Sequence, residues 1–206
     1  MSIERYTELR THAPALSDRG DYKRAAAEMN PVIFETLVDE MWARGLMLVI
    51  WEPFAGTSWL PSNPISKAQD FAEANGIQLI SYGLVPRDPR IQIKDSTKEG
   101  PPSLIGSMLF HPPYPGSLPL SDHLSELSRD WQQPGYLDRL RRTIVLASGA
   151  MVNGGLACAV GRDYRVGDER IRLDLTYLEL FEANGFLLEA VWNSVPDIVL
   201  LFRLKN

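Results

Sequence analysis

Short apolar runs alternate with amphipathic stretches along most of the chain. Ile33, Leu37 and Met41 recur at spacing four, with Phe34, Val38 and Trp42 beside them, so a helix is expected over 31–45. Proline suits its first turn and glycine its end. The continuous apolar run 46–50 follows and reads as a buried parallel strand. The alternation then repeats. Helices are expected over 66–75, 136–148 and 173–184, and strands over 77–82, 91–94, 104–110 and 155–160. Two final strands, 186–192 and 198–204, lie close enough in sequence to pair as an antiparallel hairpin. Residues 1–30 read as a polar, irregular extension with one helix-like piece over 17–29. Seven strands alternating with helices predict a single α/β domain over 1–206, built on a mostly parallel sheet. In such sheets the ligand crevice lies beyond the carboxyl ends of the strands. The residues that follow each strand are therefore where chemistry is to be sought.

Composition narrows the partners. The 206 residues carry 26 acidic and 21 basic side chains, a net charge of −5, which weighs against coating nucleic acid by bulk charge. A local basic patch stays compatible with that balance. The single cysteine, Cys158, excludes an intrachain disulfide framework and points to a reducing, cytoplasmic compartment. It lies inside an apolar run and reads as a core thiol. No stretch approaches the roughly 20 apolar residues of a membrane span. The N-terminal residues lack the apolar core of a secretory signal.

Two strand ends carry candidate chemistry. The first is followed by Glu52-Pro53-Phe54-Ala55-Gly56-Thr57-Ser58. Glu52 places a carboxylate at a strand tip, where it suits the hydroxyl or ammonium groups of a ligand. Gly56 lets the backbone turn tightly and approach that ligand. The same segment also reads as a plain strand-to-helix turn capped by Thr57 or Ser58. The fourth strand is followed by His111-Pro112-Pro113-Tyr114. Two prolines stiffen the chain and remove two N–H donors. Tyr114 offers a flat face, and His111 a nitrogen that donates or accepts. A rigid carbonyl, a polar side chain and an aromatic face together suit a nucleobase amino group.

Taken as a pair, these segments resemble motifs I and IV of class I S-adenosylmethionine-dependent methyltransferases, in the DNA amino-methyltransferase group. Motif I of that family is an acid followed by Pro-Phe-x-Gly-x-Gly; motif IV is Asp, Asn or Ser followed by Pro-Pro-Tyr. Asn30-Pro31-Val32 resembles the family's motif X in place and spacing. The resemblance covers roughly residues 20–206. It implies a Rossmann-like fold, S-adenosylmethionine as cofactor, and methyl transfer to the exocyclic amino group of adenine or cytosine in DNA. By the same resemblance, Phe54, Ala55 and Gly56 line the cofactor's methionine and sugar, within a site completed by Glu52, Pro53, Thr57 and Gly83. Asn30 and Pro31 touch its carboxylate end, and Asp95 hydrogen-bonds near the adenine amino group. His111 and the Pro112 carbonyl hold the target amino group, Pro113 completes the motif, and Tyr114 stacks on the flipped base.

The chain departs from the family pattern at three places. Ser58 stands for the last glycine of motif I, Gly83 stands where the family places an acid after the second strand, and His111 replaces Asp, Asn or Ser. A neutral histidine would accept one amino hydrogen, so activity through His111 is expected to fall across histidine's normal titration range. These departures also feed a second reading, a non-catalytic methyltransferase-like subunit. An RNA base is a variant target with the same chemistry, and a small-molecule substrate a third, weaker reading.

Arg162, Arg165, Arg170 and Arg172 flank the acidic segment Gly167-Asp168-Glu169. Arg162 and Arg165 are the candidates there for phosphate contact. His111, Asp122 and His123 lack the spacing of a zinc motif, so no metal is expected. The short chain leaves little room for a target-recognition domain, so specificity is expected from a partner subunit, a homodimer mate or the loops.

Overall fold

Elements alternate as the hydrophobic pattern requires. In chain order they are α1 (Ile3–Thr11), α2 (Pro31–Ala43), β1 (Val49–Glu52), α3 (Lys67–Ala74), β2 (Gln78–Gly83), β3 (Gln92–Ile93) and β4 (Ile105–Phe110). Then come α4 (Gly135–Ala150), β5 (Met151–Gly161), β6 (Asp163–Val166), β7 (Glu169–Arg172), α5 (Leu173–Ala183), β8 (Phe186–Ser194) and β9 (Asp197–Leu204). The computed structural model describes residues 1–16, 31–55, 67–86, 88–114, 127, 135–166, 168–194 and 197–206. The helix expected over 17–29 lies outside them.

The main sheet has seven strands in the order β3-β2-β1-β4-β5-β9-β8. β1 to β5 pair in parallel, and β9 runs antiparallel to both its neighbours. Period-two side-chain alternation sends successive strand residues to opposite faces. Ile50, Leu109, Cys158 and Leu201 pack on one face against α2 residues Ile33, Leu37 and Met41. Trp51, Met108, Phe110, Ala157 and Phe202 pack on the other against Leu140 and Ile144 of α4 and Tyr177 and Phe181 of α5. Helices cover both faces, which is why the strands read as unbroken apolar runs. Burial of Cys158 pushes its thiol up to about 12, as befits a core residue. Trp51 is buried too, whereas Trp42 of α2 is about half exposed, at 51 %.

Four local features differ from the expectation. The first strand starts at Val49, not at Leu46, and ends on Glu52. The Met47 carbonyl lies 2.0 Å from where a Cβ on Gly106 would sit, so Met47 passes close against β4, while the Leu48 carbonyl still accepts from the Gln78 amide at 2.9 Å. β5 begins four residues earlier than 155, because a register shift between Ile105 and Ser107 absorbs Gly154, whose φ is +72°. The segment around Asp168 is an antiparallel hairpin, β6–β7, with Arg165 opposite Arg170.

The fourth difference is α1, inside the stretch read as irregular. Ser2 caps it by accepting from the Arg5 amide at 3.3 Å. Its one buried side chain, Tyr6, donates to Asp174 Oδ2 at 2.7 Å. Arg10 pairs with Asp174 at 2.6 Å and with Asp163 at 3.2 Å. Arg172 completes the ring around Asp174 at 2.9 Å. Beyond α1, Ala15 bridges Asn193 and covers the outer edge of β8.

Candidate active site

The carboxyl edge of the sheet gathers the ends of β1, β2, β3, β4 and β5. Because β9 runs the other way, its first residue, Asp197, joins the same edge. Only tertiary topology brings these six points together.

Glu52 ends β1 half-buried. Gln69 Nε2 of α3 donates to Ser81 Oγ at 2.8 Å, and Ser81 Oγ donates to Glu52 Oε2 at 2.6 Å. Both donors are buried, and Ser81 is 1 % exposed. The register sets this chain, since Glu52 pairs with Ser81 across β1 and β2. Burial lifts the Glu52 carboxyl to about 7, and the Ser81 hydrogen bond pulls it only part of the way back. Among the described residues no cation compensates it. A carboxylate so placed favours a ligand that brings hydrogen-bond donors or positive charge.

The turn after Glu52 is locked from two sides. The Ala55 amide donates to the Tyr82 carbonyl at 3.0 Å, and Pro53 and Ala55 are buried. The Phe54 ring meets Phe110 edge-on, centroids 5.4 Å apart, which couples the turn to the end of β4. A Cβ on Gly83 would sit 2.8 Å from the Ala55 carbonyl. Gly83 is therefore glycine because the first turn crosses it, a packing reason independent of any ligand. Gly56, Thr57, Ser58 and Asn30 lie outside the described residues. Pro31 opens α2, and its side chain is likewise outside them.

Asp95 follows β3, at the position the resemblance implies. Its Oδ1 accepts from the Thr97 amide at 3.0 Å and the Thr97 hydroxyl at 2.6 Å, and its Oδ2 forms an ion pair with Lys98 Nζ at 2.9 Å. Burial would raise its pKa, yet these bonds from Thr97 and Lys98 hold it below the usual carboxylate value. The structure thus gives Asp95 a local capping role, with its donors drawn from its own turn.

The segment after β4 is tied down throughout. Pro112 is buried, and the Pro113 carbonyl accepts from the Tyr136 hydroxyl of α4 at 3.1 Å. His111 Nε2 lies 3.0 Å from the Tyr114 hydroxyl, which donates to Asp197 Oδ1 at 3.1 Å. Arg162 Nε donates to the same Oδ1 at 2.9 Å, and its guanidinium lies over the Tyr114 ring, 4.8 Å from the centroid. Burial pushes His111 down to about 4; Asp197 opposes that shift and Arg162 adds to it. With the ring neutral across histidine's normal range, a fall in activity through His111 is expected at lower pH.

Arg162, expected as a phosphate contact, is engaged by partners within the chain. Its charge is held by Asp197, which is 2 % exposed, and its flat face is laid on Tyr114. Arg170 pairs with Asp163, and Arg172 with Asp163 and Asp174, so these cations have partners within the chain. Arg165 stands in β6, its side chain outside the described residues, as are Asp122 and His123. Sequence reading missed Asp197 and Gln69. Asp197 opens the last strand directly after Val195-Pro196, and its place opposite Arg162 follows from the pairing of Gly161 with Ile198.

No protein-family model and no curated protein sequence matches the chain. Its fold does match solved structures. The N-methyltransferase NodS from Bradyrhizobium japonicum WM9, in complex with S-adenosyl-L-homocysteine, superposes with a TM-score of 0.55 at 11 % identity, over 98 % of each chain. A TehB-like SAM-dependent methyltransferase from Corynebacterium glutamicum gives 0.52 at 13 % identity, over 98 % of this chain and 95 % of that one. The Burkholderia thailandensis 1,6-didemethyltoxoflavin-N1-methyltransferase gives 0.53 at 10 % identity, over 84 % of this chain and 79 % of that one. At these identities the likeness is one of fold: the chain has the Rossmann-like class I methyltransferase fold, a mostly parallel seven-stranded sheet with antiparallel C-terminal strands.

Proposed function

We propose that the protein is an S-adenosylmethionine-dependent methyltransferase whose target is the exocyclic amino group of adenine or cytosine in DNA. The observation that carries this reading is the juxtaposition of two loops. Glu52-Pro53-Phe54-Ala55 and His111-Pro112-Pro113-Tyr114 leave the neighbouring strands β1 and β4, and Phe54 packs on Phe110, the last residue of β4.

The cofactor fits what Glu52 lacks. An ammonium or paired ribose hydroxyls would supply donors to a half-buried carboxylate whose one hydrogen bond among the described residues comes from Ser81. Glu52, Pro53, Phe54 and Ala55 would hold it with Gly56 and Thr57, and Asn30 and Pro31 would meet its carboxylate end. Gly83 shapes this site by letting the turn pass. Asp95 would reach the adenine side only with a lone pair left over from its cap. Bound there, S-adenosylmethionine supplies an electrophilic methyl group on sulfur.

The chain's own residues would do the rest by orientation. His111 and the Pro112 carbonyl accept the hydrogens of the target amino group, drawing its lone pair out of conjugation and aiming it. His111 is held neutral and so takes a hydrogen bond without keeping the proton. Tyr114 offers the ring face opposite Arg162 to the base.

A small-molecule amine is the second reading. It is favoured by Arg162 lying over one face of Tyr114, which leaves half of the expected stacking platform. The proposed setting is the reducing cytoplasm. No helix of the described residues is long and apolar enough to cross a membrane.

The test begins with calorimetric titration of S-adenosylmethionine. Labelled methyl transfer to DNA, RNA and small amines follows. Micromolar binding, about −8 kcal/mol, with label on adenine or cytosine of DNA supports the proposal. Label on RNA or small amines alone moves the target. Absence of binding refutes the enzyme and favours a non-catalytic partner subunit.

A further inference from the structure

The polar cluster behind the Pro-Pro-Tyr segment settles where the protons sit. Arg162 Nε and Nη2 each lie 2.9 Å from Asp197 Oδ1, and the Tyr114 hydroxyl donates to the same oxygen at 3.1 Å. A carboxylate paired with a guanidinium is acceptor-only. The one hydroxyl proton of Tyr114 is therefore directed at Asp197. Toward His111 Nε2, 3.0 Å away, Tyr114 presents a lone pair. Nε2 must then carry the ring hydrogen, and Nδ1 must be bare. This assignment follows from counting donors and acceptors among the described residues.

We propose that Asp197 is a positioning residue that, through the Tyr114 hydroxyl, holds His111 as its Nε2–H tautomer and so presents Nδ1 as an acceptor to an N–H-bearing substrate. The clause about substrate rests on the function proposed above; the clause about the tautomer does not.

Two paired strands hold the cluster. Asp197 is at the start of β9 and Arg162 at the end of β5, facing each other through the antiparallel register that pairs Gly161 with Ile198. The His111 and Tyr114 rings meet edge-on, centroids 5.6 Å apart. Among the described residues, the titratable and charged groups that face His111 are Tyr114 from its own loop, Arg162 from just after β5 and Asp197 from β9. With Nδ1 bare, the site matches an amino group and turns away a carbonyl oxygen. The opposite tautomer would reverse that preference.

The test is a long-range proton–nitrogen correlation spectrum of the full chain labelled with nitrogen-15 histidine. The chain has three histidines, and His111→Asn identifies the signal of interest. The expected result at neutral pH is a single Nε2–H tautomer for His111. Tyr114→Phe keeps the ring under Arg162 and removes the relay, so it should give a mixture of tautomers. Asp197→Asn should shift the ring toward Nδ1–H, and lower kcat about tenfold, the worth of one hydrogen bond, with cofactor affinity unchanged. An Nδ1–H ring in the wild-type protein overturns the proposal, whatever the variants do. So does an Nε2–H ring that stays unchanged in both folded variants. An Nε2–H ring in a protein that transfers no methyl group supports the tautomer assignment and refutes the enzymatic reading. Methyl transfer with an Nδ1–H ring does the reverse.

Discussion

Replacing Glu52 by glutamine should stabilise the protein while weakening its site. The carboxyl sits near 7 against an ordinary value of 4.5, and burial is the chief cause. At about 1.36 kcal/mol for each factor of ten in proton affinity, ionising it costs roughly 3 kcal/mol more in the folded chain than in the unfolded one. The sign follows from linkage. Between pH 4.5 and 7 the folded protein keeps a proton that the unfolded chain has released, so stability falls as pH rises through that window. Glutamine retains an oxygen for the Ser81 hydroxyl and cannot ionise. Its amide N–H groups need partners of their own, so the net gain is about 2–3 kcal/mol above pH 7 and close to nothing below pH 4.5. For a chain of this length that is roughly 5–10 °C in Tm. Thermal and urea unfolding on both sides of the window provide the assay. A glutamine variant less stable than wild type at high pH would refute the reasoning, as would a difference that does not change with pH. Saturating S-adenosylmethionine should reverse the order, because the cofactor would stabilise the wild type more.

Other consequences are simpler. If the protein transfers methyl groups through His111, the rate should stay level through pH 6.5 and fall only toward about pH 4, and a drop centred at 6.5 in a pH–rate profile would show the ring to be solvated. Gly83→Ala should cost roughly 1–3 kcal/mol in urea unfolding, because its Cβ would press on the Ala55 backbone carbonyl at 2.8 Å. Asp174→Asn should cost about 3 kcal/mol, since Tyr6, Arg10 and Arg172 all converge on a carboxylate that is 1 % exposed. Hydrogen exchange should quicken in α1 of that variant. Asp174 is held below the usual carboxylate value despite its burial, by bonds from Arg172 and Tyr6 and the nearby charge of Arg10. Its contribution is present at neutral pH and is lost as pH falls through the acidic range.

The pattern of the chain was enough for the architecture and for the two loops. Fully apolar runs such as Ile105–Phe110 report burial on both faces, and helical spacing between them reports the crossovers. That information is local in sequence, because each strand is apolar regardless of its neighbours. α1 was illegible for the same reason in reverse. Its residues are mostly polar, and it is anchored by Tyr6 and Arg10 to a partner more than 160 residues away. The Ser2 cap was the one local sign of it. The β6–β7 hairpin hid behind its arginines, which read as cations flanking an acidic loop and available for phosphate contact until Asp163 and Asp174 are placed beside them.

What residue types line the carboxyl edge was thus determined by sequence: a carboxylate at 52, a histidine at 111, a tyrosine at 114 and glycine at 83. What state those groups occupy was decided by tertiary structure alone. Glu52 near 7 and His111 near 4 are set by desolvation and by distant partners, among them Ser81, Asp197 and Arg162. Spacing along a chain carries no dielectric constant. It also says nothing of which charge will lie opposite which until antiparallel β9 brings Asp197 back to the end of β5.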